Sequence, residues 1–247
     1  MNGSISDFHA TGPHEVTWMR QFCQIRDVLV VHIDLIANGD CEDKALFWLD
    51  QKERKRLNRY RFDRSRREFV LSRSAMRQIL CCFLKCRNEQ LSFETNAHGK
   101  PIPLVDGVLA NVSVNLTHSG NHGLVGIASG GQLGIDLEVP VERPNVEGIG
   151  QMVFTDNEQS ELARASGNEK LNLFYRLWTL KEALIKALGT GFSLNPNQFE
   201  IPQGMRQGAS RGKFRFPHLP DIQWELDFIG SSDFAASLAH SREITQP

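Results

Sequence analysis

The most regular pattern in the sequence runs from Asn172 to Leu188 and predicts an amphipathic helix. Leucines recur there at helical spacing and form one apolar stripe: Leu173, Leu177, Leu180, Leu184 and Leu188. This stripe is the side of the helix that faces a core. Gly189 and Gly191 are expected to end the helix, because glycine adopts the left-handed cap conformation at little cost.

The other side of this helix carries Trp178, Glu182 and Lys186 at intervals of four residues, with Lys181 at the border of the stripe. Glu182 and Lys186 have the spacing of a surface ion pair, which contributes only about 0.3–0.5 kcal/mol. Trp178 does not suit a solvated surface. Its presence indicates that another part of the protein or a ligand covers this face.

A second pattern is the alternation from Leu133 to Val139, which predicts a strand. Side chains alternate along a strand, so Asp136 and Glu138 share one face. Two carboxylates placed in this way repel each other unless a positive charge lies between them, and Mg²⁺ uses such carboxylates together with phosphate oxygens. Taken alone, the two residues favour the simpler alternative of a half-exposed strand with solvated acids.

Basic residues are concentrated between Gln51 and Arg77. This segment has eleven lysines and arginines against three acidic residues, a local charge of +8 in a chain whose net charge is −1. The near-neutral balance argues against a general nucleic-acid or membrane binder, and the local block indicates a site for a specific anion. Arginines suit phosphate because the guanidinium fork bonds two oxygens, although a solvated helix face is the better explanation for any single one of them: Arg64, Arg66, Arg67 and Arg73.

The five cysteines have no zinc-type spacing, and neither a signal peptide nor a long apolar run is evident. We therefore expect a reduced, cytoplasmic protein. The predicted elements are strands and hairpins mixed with helices, which is typical of the α+β class. They are a strand at Val28 to Leu35, helices at Lys44 to Arg59 and Arg64 to Leu84, a hairpin of Val112 to Thr117 with Leu124 to Ala128, a helix capped by Thr155 and Glu158, and closing strands at Trp224 to Phe228 and Phe234 to Ala239.

These motifs, in this order, resemble the 4′-phosphopantetheinyl transferase superfamily, in its larger, Sfp-type branch that activates surfactin and other nonribosomal peptide synthetases. The signature of the family stands here as GIDLE (Gly134 to Glu138) and WTLKEALIK (Trp178 to Lys186). A GKP loop (Gly99 to Pro101) and NLTHS (Asn115 to Ser119) precede them. The resemblance runs from about Lys52 to Ala239, and leaves out residues 1–25 and the last eight.

The resemblance implies two similar α+β halves related by a pseudo-two-fold axis, with the active site in the cleft between them. We expect residues 1–121 to form the first half and residues 122–247 the second, which would carry the Mg²⁺ site. Asp136, Glu138 and Glu182 would hold Mg²⁺ or Mn²⁺, and Glu182, Lys186 and Asp136 would be the catalytic residues. Coenzyme A would be bound by Arg67, Lys100, Pro101, Thr117, His118, Lys181 and Lys186.

The implied reaction transfers 4′-phosphopantetheine from coenzyme A to a serine of an apo acyl or peptidyl carrier protein and releases 3′,5′-ADP. The implied enzyme is a monomer without nucleic-acid or membrane partners. A metal-dependent phosphodiesterase or pyrophosphatase acting on coenzyme A or a nucleotide is the alternative, and a module that docks an acidic partner is another. Glu53 and Arg56 stand where family members can carry coenzyme A-binding lysines, so the residue that reaches the 3′-phosphate stays open.

Overall fold

The computed structural model describes residues 18–36, 38–142, 146–189 and 194–241. Most of the expected loose N-terminal segment, and the glycine at position 191, lie outside these ranges. The chain divides into two compact units, Met1–Ser129 and Gly130–Pro247. The structure places this division eight residues after the expected one, because the strand His122–Ala128 pairs with strands of the first unit.

The strands are β1 Met19–Ile25, β2 Val28–Asp34, β3 Leu91–Thr95, β4 Pro101–Val105, β5 Val108–Leu109, β6 Ser113–Ser119, β7 His122–Ala128, β8 Gln132–Glu138, β9 Arg211–Phe216, β10 Leu219–Phe228 and β11 Ala235–Ser241. The helices are α1 Gly39–Leu46, α2 Gln51–Leu57, α3 Asp63–Leu84, α4 Val146–Val153, α5 Asp156–Arg164, α6 Gly167–Leu188 and α7 Gln203–Arg206. None of the described helices combines the length and the apolar composition that crossing a membrane requires.

The first unit is built on an antiparallel sheet in the order β1-β2-β7-β6, with a smaller sheet β3-β4-β5. The 22-residue helix α3 packs on β2, β6 and β7 through the apolar side that the sequence predicts. Buried residues such as Ile33, Met76 and Val125 form the core. The predicted hairpin is confirmed as β6 and β7, which Gly120 joins with a φ of +59°.

The single helix predicted from Lys44 to Arg59 is wrong, because the chain forms the two helices α1 and α2 instead. Asp50 starts the second one with a capping box. Its carboxylate accepts the backbone N–H of Glu53 at 2.8 Å, and the Glu53 carboxylate accepts that of Asp50 at 2.9 Å. The reciprocal bonds satisfy amides at the start of α2 and separate it from α1.

The second unit has an antiparallel sheet in the order β8-β11-β10-β9, with the 22-residue helix α6 packed on β8 and β11. The predicted stripe on α6 is buried at Leu177, Leu180 and Leu184 and partly buried at its two ends. The predicted closing strand pair is confirmed as β10 and β11. Both units therefore combine helices with antiparallel strands, and the predicted α+β class is confirmed.

Gly134 on β8 explains how close α6 can approach the sheet. A Cβ atom on Gly134 would lie 2.0 Å from the Ala183 carbonyl oxygen and 2.4 Å from the Ala187 nitrogen, both on α6. Only a residue without a side chain permits this backbone approach. The glycine of the GIDLE motif thus holds the strand with Asp136 directly against the helix with Glu182.

Candidate active site

Asp136 on β8 and Glu182 with Lys186 on α6 form an acidic group with one ammonium. The Asp136 side chain is buried, with the residue only 4% exposed, so the alternative of a solvated strand fails for it. Glu138, Glu182 and Lys186 are half-buried. Lys186, expected to pair with Glu182 along the helix, donates from Nζ to Oδ1 of Asp136 at 2.6 Å. The acid and the lysine of the two motifs are therefore brought into contact.

The charges of Asp136 and Glu138 both influence the pKa of Glu182. The pKa of Glu182 is raised to about 7, mainly by burial and next by the charge of Asp136; Lys186 opposes the rise and Glu138 adds to it. A carboxyl group with this pKa exchanges a proton near neutral pH, as a general base must. Within the described ranges, no three His, Cys, Asp or Glu side chains are gathered as a set of metal ligands.

Lys181 does not join this group, which corrects its predicted role in binding coenzyme A. The side chain is 0% exposed, and its Nζ lies 2.8 Å from Oε2 of Glu158, also fully buried. The same ammonium donates to the carbonyls of Pro196 at 2.8 Å and Phe199 at 2.6 Å. All three N–H donors are thus directed into the core of the second unit, away from any solvent-exposed ligand.

Glu158 is a partner that the sequence patterns did not reveal. The predicted capping box with Thr155 is confirmed, with Oε2 of Glu158 accepting the Thr155 N–H at 2.9 Å. Oε1 also accepts the N–H of Ile201 at 2.8 Å. The capping motif was the only sequence signal at this position, and it does not predict a partner 23 residues away on α6.

Trp178 is covered by the protein itself. Its ring stacks on Phe174, one turn earlier on α6, with centroids 6.0 Å apart and an interplanar angle of 21°. It packs against the core of the second unit and is half-buried. The sequence predicted that either the protein or a ligand covers this face of α6, and the protein itself covers at least part of it.

In the first unit, the predicted residues Thr117 and His118 lie near the end of β6. Thr117 is buried and His118 is exposed, as expected for neighbours on a strand. The turn after β6 is tied to the beginning of α3. Arg64 donates to the Gly120 carbonyl at 3.1 Å, and Arg67 donates from Nε to the Leu35 carbonyl at 3.1 Å. The N–H of Leu35 in turn donates to the carbonyl of residue 121 at 2.9 Å, so Arg67 is linked to the turn that follows His118.

The GKP loop joins β3 to β4. The side-chain oxygen of Asn96 accepts the N–H groups of His98 and Lys100, both at 2.9 Å, and Gly99 takes a φ of +82°. Pro101 then begins β4. Burial lowers the pKa of Lys100 to about 8. The ammonium is partly desolvated, which increases its attraction for an anion.

Arg73 does not belong to the exposed basic surface on which the sequence placed it. Its guanidinium bonds the Glu53 carboxylate and lies over the Phe93 ring at 4.0 Å. Arg77, only 1% exposed, bonds the same carboxylate at 3.2 Å. Glu53 is therefore a buried structural acid, whereas the neighbouring Arg56 stays exposed.

Two family models match the chain. One, described as the 4′-phosphopantetheinyl transferase superfamily, covers residues 132–239, and the other, 4′-phosphopantetheinyl transferase, N-terminal, covers residues 42–131. The chain belongs to the 4′-phosphopantetheinyl transferase superfamily. The two models meet within two residues of the boundary between the structural units. The superfamily and the Sfp-type branch predicted from the motifs are both confirmed.

Several superfamily members resemble the chain over most of its length. A putative 4′-phosphopantetheinyl transferase of Synechocystis is 36% identical over 150 residues, which are 61% of each protein. The transferase HetI of Nostoc is 33% identical over 145 residues, 59% of this chain and 61% of that protein. The transferase Sfp of Bacillus subtilis is 24% identical over 172 residues, 69% of this chain and 74% of that protein. The chain thus spans about 61% of the length of the first two relatives.

Proposed function

We propose that this protein transfers the 4′-phosphopantetheine arm of coenzyme A to a serine hydroxyl of an apo acyl or peptidyl carrier protein and releases 3′,5′-ADP. Membership of the superfamily supports the reaction class. The observation that carries the proposal is the group of Asp136, Glu182 and Lys186 on the two signature motifs, with the pKa of Glu182 at about 7. This group consists of acids and an ammonium and does not itself supply the nucleophile. It therefore suits a reaction in which the substrate carries the nucleophile.

A divalent cation, Mg²⁺ or Mn²⁺, fits this group chemically. Carboxylate oxygens are the ligands such ions prefer, and burial together with repulsion from Asp136 and Glu138 raises the pKa of Glu182, so a cation would relieve unfavourable charge there. Asp136, Glu138 and Glu182 would hold the ion. When bound, it would supply Lewis-acid stabilisation of charge on the pyrophosphate.

Glu182 is the proposed general base. The serine oxygen attacks the β-phosphorus of coenzyme A, and the bond from that phosphorus to the oxygen of the 3′,5′-ADP leaving group breaks. The serine proton passes to Glu182 directly or through a water molecule. Lys186, already oriented by its ion pair with Asp136, screens the negative charge that develops on the leaving group.

The 3′-phosphoadenosine end is assigned to the first unit. The residues that would bind it are Lys100, Pro101, Thr117 and His118. The partly desolvated Lys100 ammonium and the exposed His118 imidazole would donate hydrogen bonds to the phosphate oxygens. Arg67 already uses Nε on a backbone carbonyl and lies 4.0 Å from Glu42, which leaves part of its guanidinium for phosphate. Coenzyme A binding measurements on single substitutions of these residues test the assignments.

We further propose a cytoplasmic monomer that does not act on nucleic acid or membranes. None of the five cysteines forms a disulfide, as is usual in a reducing compartment. The net charge of −1 does not favour a polyanionic surface as the general partner. Light scattering of the purified protein tests the oligomeric state.

Mass spectrometry of apo carrier proteins incubated with this protein, coenzyme A and Mg²⁺ tests the reaction. A mass gain corresponding to the pantetheine arm, lost with EDTA or when the carrier serine is replaced by alanine, is the expected result. The phosphodiesterase or pyrophosphatase alternative uses water as the nucleophile and so consumes coenzyme A without a carrier. Release of 3′,5′-ADP at the same rate with and without carrier would therefore refute the transferase.

A further inference from the structure

Tyr175 lies on α6 two turns before Glu182, and its hydroxyl group holds one residue of the chain that follows β8. The hydroxyl oxygen accepts the backbone N–H of Val141 at 3.2 Å, and the hydroxyl donates to the carbonyl of the same residue at 2.9 Å. The ring is buried and meets Phe174 edge-on, with centroids 5.2 Å apart and an angle of 85°. Core packing therefore fixes the position from which the hydroxyl acts.

These two hydrogen bonds hold the chain just beyond the end of the sheet. The antiparallel ladder between β8 and β11 extends to the pair Glu138–Ala235. Val141 is three residues further along, beyond the ladder, so its N–H and C=O take no part in the sheet. The Tyr175 hydroxyl satisfies both groups on one side. It thereby fixes the direction in which the chain leaves the strand end that carries Glu138.

We propose that Tyr175 is a positioning residue for Glu138: by holding the exit of β8 it limits where this carboxylate can lie, so that Glu138 can join Asp136 and Glu182 in holding a divalent cation. The inference rests on the proposed function, because it takes these three acids as the ligand set. Tyr175 itself touches no reacting atom in this assignment. Its effect is on how strongly the cation is held.

Tyr175→Phe tests the proposal by removing one oxygen atom and keeping the packed ring. We expect Mn²⁺ binding to the protein without coenzyme A, measured by calorimetry, to weaken about three- to tenfold, which corresponds to the free energy of the lost hydrogen bonding passed on to the cation site. In the transfer assay, the Mg²⁺ concentration for half-maximal rate should rise by a similar factor. The rate at saturating Mg²⁺ should return close to that of the wild type.

Ser74→Ala is the control. Ser74 lies on α3 in the first unit, is buried, and its hydroxyl donates to the Ala45 carbonyl at 2.6 Å. Its replacement also removes a buried hydroxyl, but Ser74 does not hold the chain after β8. We expect it to lower stability and to leave Mn²⁺ affinity unchanged.

The proposal is overturned if Tyr175→Phe binds Mn²⁺ like the wild type, if Ser74→Ala weakens binding equally, or if saturating Mg²⁺ does not restore the rate. Deuterium exchange in the wild type is a second test that needs no variant: Mn²⁺ should slow exchange of the Val141 amide, and an unchanged rate contradicts the proposal.

If the wild type modifies no carrier, the proposed transfer fails while the Mn²⁺ isotherms still decide on Tyr175. If the wild type transfers and Tyr175→Phe matches it at every Mg²⁺ concentration, only the positioning role fails.

Discussion

Replacing Glu182 by Gln should stabilise the fold in the absence of divalent cations while it removes transfer activity. The pKa of this carboxyl is about 7 in the folded protein and 4.5 for an ordinary glutamate. Between these two values the folded state keeps the proton that the unfolded state has lost, so the stability of the wild type falls as the pH rises. Each pKa unit corresponds to about 1.4 kcal/mol, which places the full cost near 3 kcal/mol above pH 7.

Gln keeps the shape of the side chain and cannot ionise. Its free energy of unfolding should match that of the wild type near pH 4.5 and exceed it by up to about 3 kcal/mol at pH 8. Urea unfolding in EDTA at several pH values measures the difference. The exposed Glu169, also on α6, gives the control: Glu169→Gln should show no such growth of the difference with pH.

A difference between Glu182→Gln and the wild type that stays constant from pH 5 to pH 8 would refute the electrostatic account of this site. So would a variant that is less stable than the wild type at pH 8. Saturating Mg²⁺ should reverse the order, because the wild type gains binding free energy that the variant largely lacks. The transfer rate of Glu182→Gln should fall by about 100-fold or more, as expected for loss of a general base.

Three further predictions concern the same unit. Lys181→Met leaves the buried Glu158 carboxylate without its ammonium and should lower the free energy of unfolding by about 3–5 kcal/mol, measured with urea at pH 7. A loss below about 1 kcal/mol would contradict a buried ion pair. Unchanged stability with a raised KM for coenzyme A would instead support the original prediction that Lys181 binds phosphate. Gly134→Ala places a methyl group against the Ala183 carbonyl and should cost about 2 kcal/mol or more, with the melting temperature as the measure; a neutral substitution would show that α6 does not lie this close to β8. Asp136→Ala should abolish the Mg²⁺ dependence of any residual transfer, and an unchanged metal titration would exclude Asp136 as a ligand.

Much of the fold follows from local sequence patterns. The helix α6 and its apolar stripe, the helix α3, the hairpin of β6 and β7, and the capping box of Thr155 all depend on residues within a few positions of one another. Alternation along β8 is sufficient to predict that Asp136 and Glu138 share one face. The motifs and their order were sufficient to identify the superfamily.

Other features depend on which distant elements meet. The sequence places Lys181 beside Glu182, but the direction of its side chain is set by Glu158, Pro196 and Phe199, which only packing brings to it. In the same way Glu53 turns Arg73 inward. A charged side chain has the same appearance in a sequence whether it is solvated or buried with a partner, since the desolvation cost and the compensating bonds exist only in the folded protein.

Sequence patterns alone therefore predict the periodic elements, the superfamily and the three acids of the candidate site. The folded chain adds that Asp136 is buried against Lys186, that Glu182 has a pKa near neutrality, and that Tyr175 holds the chain beyond β8. The reason is physical. Helix and strand patterns arise from repeating backbone geometry, whereas burial and Coulomb interactions depend on distances between residues far apart in the chain.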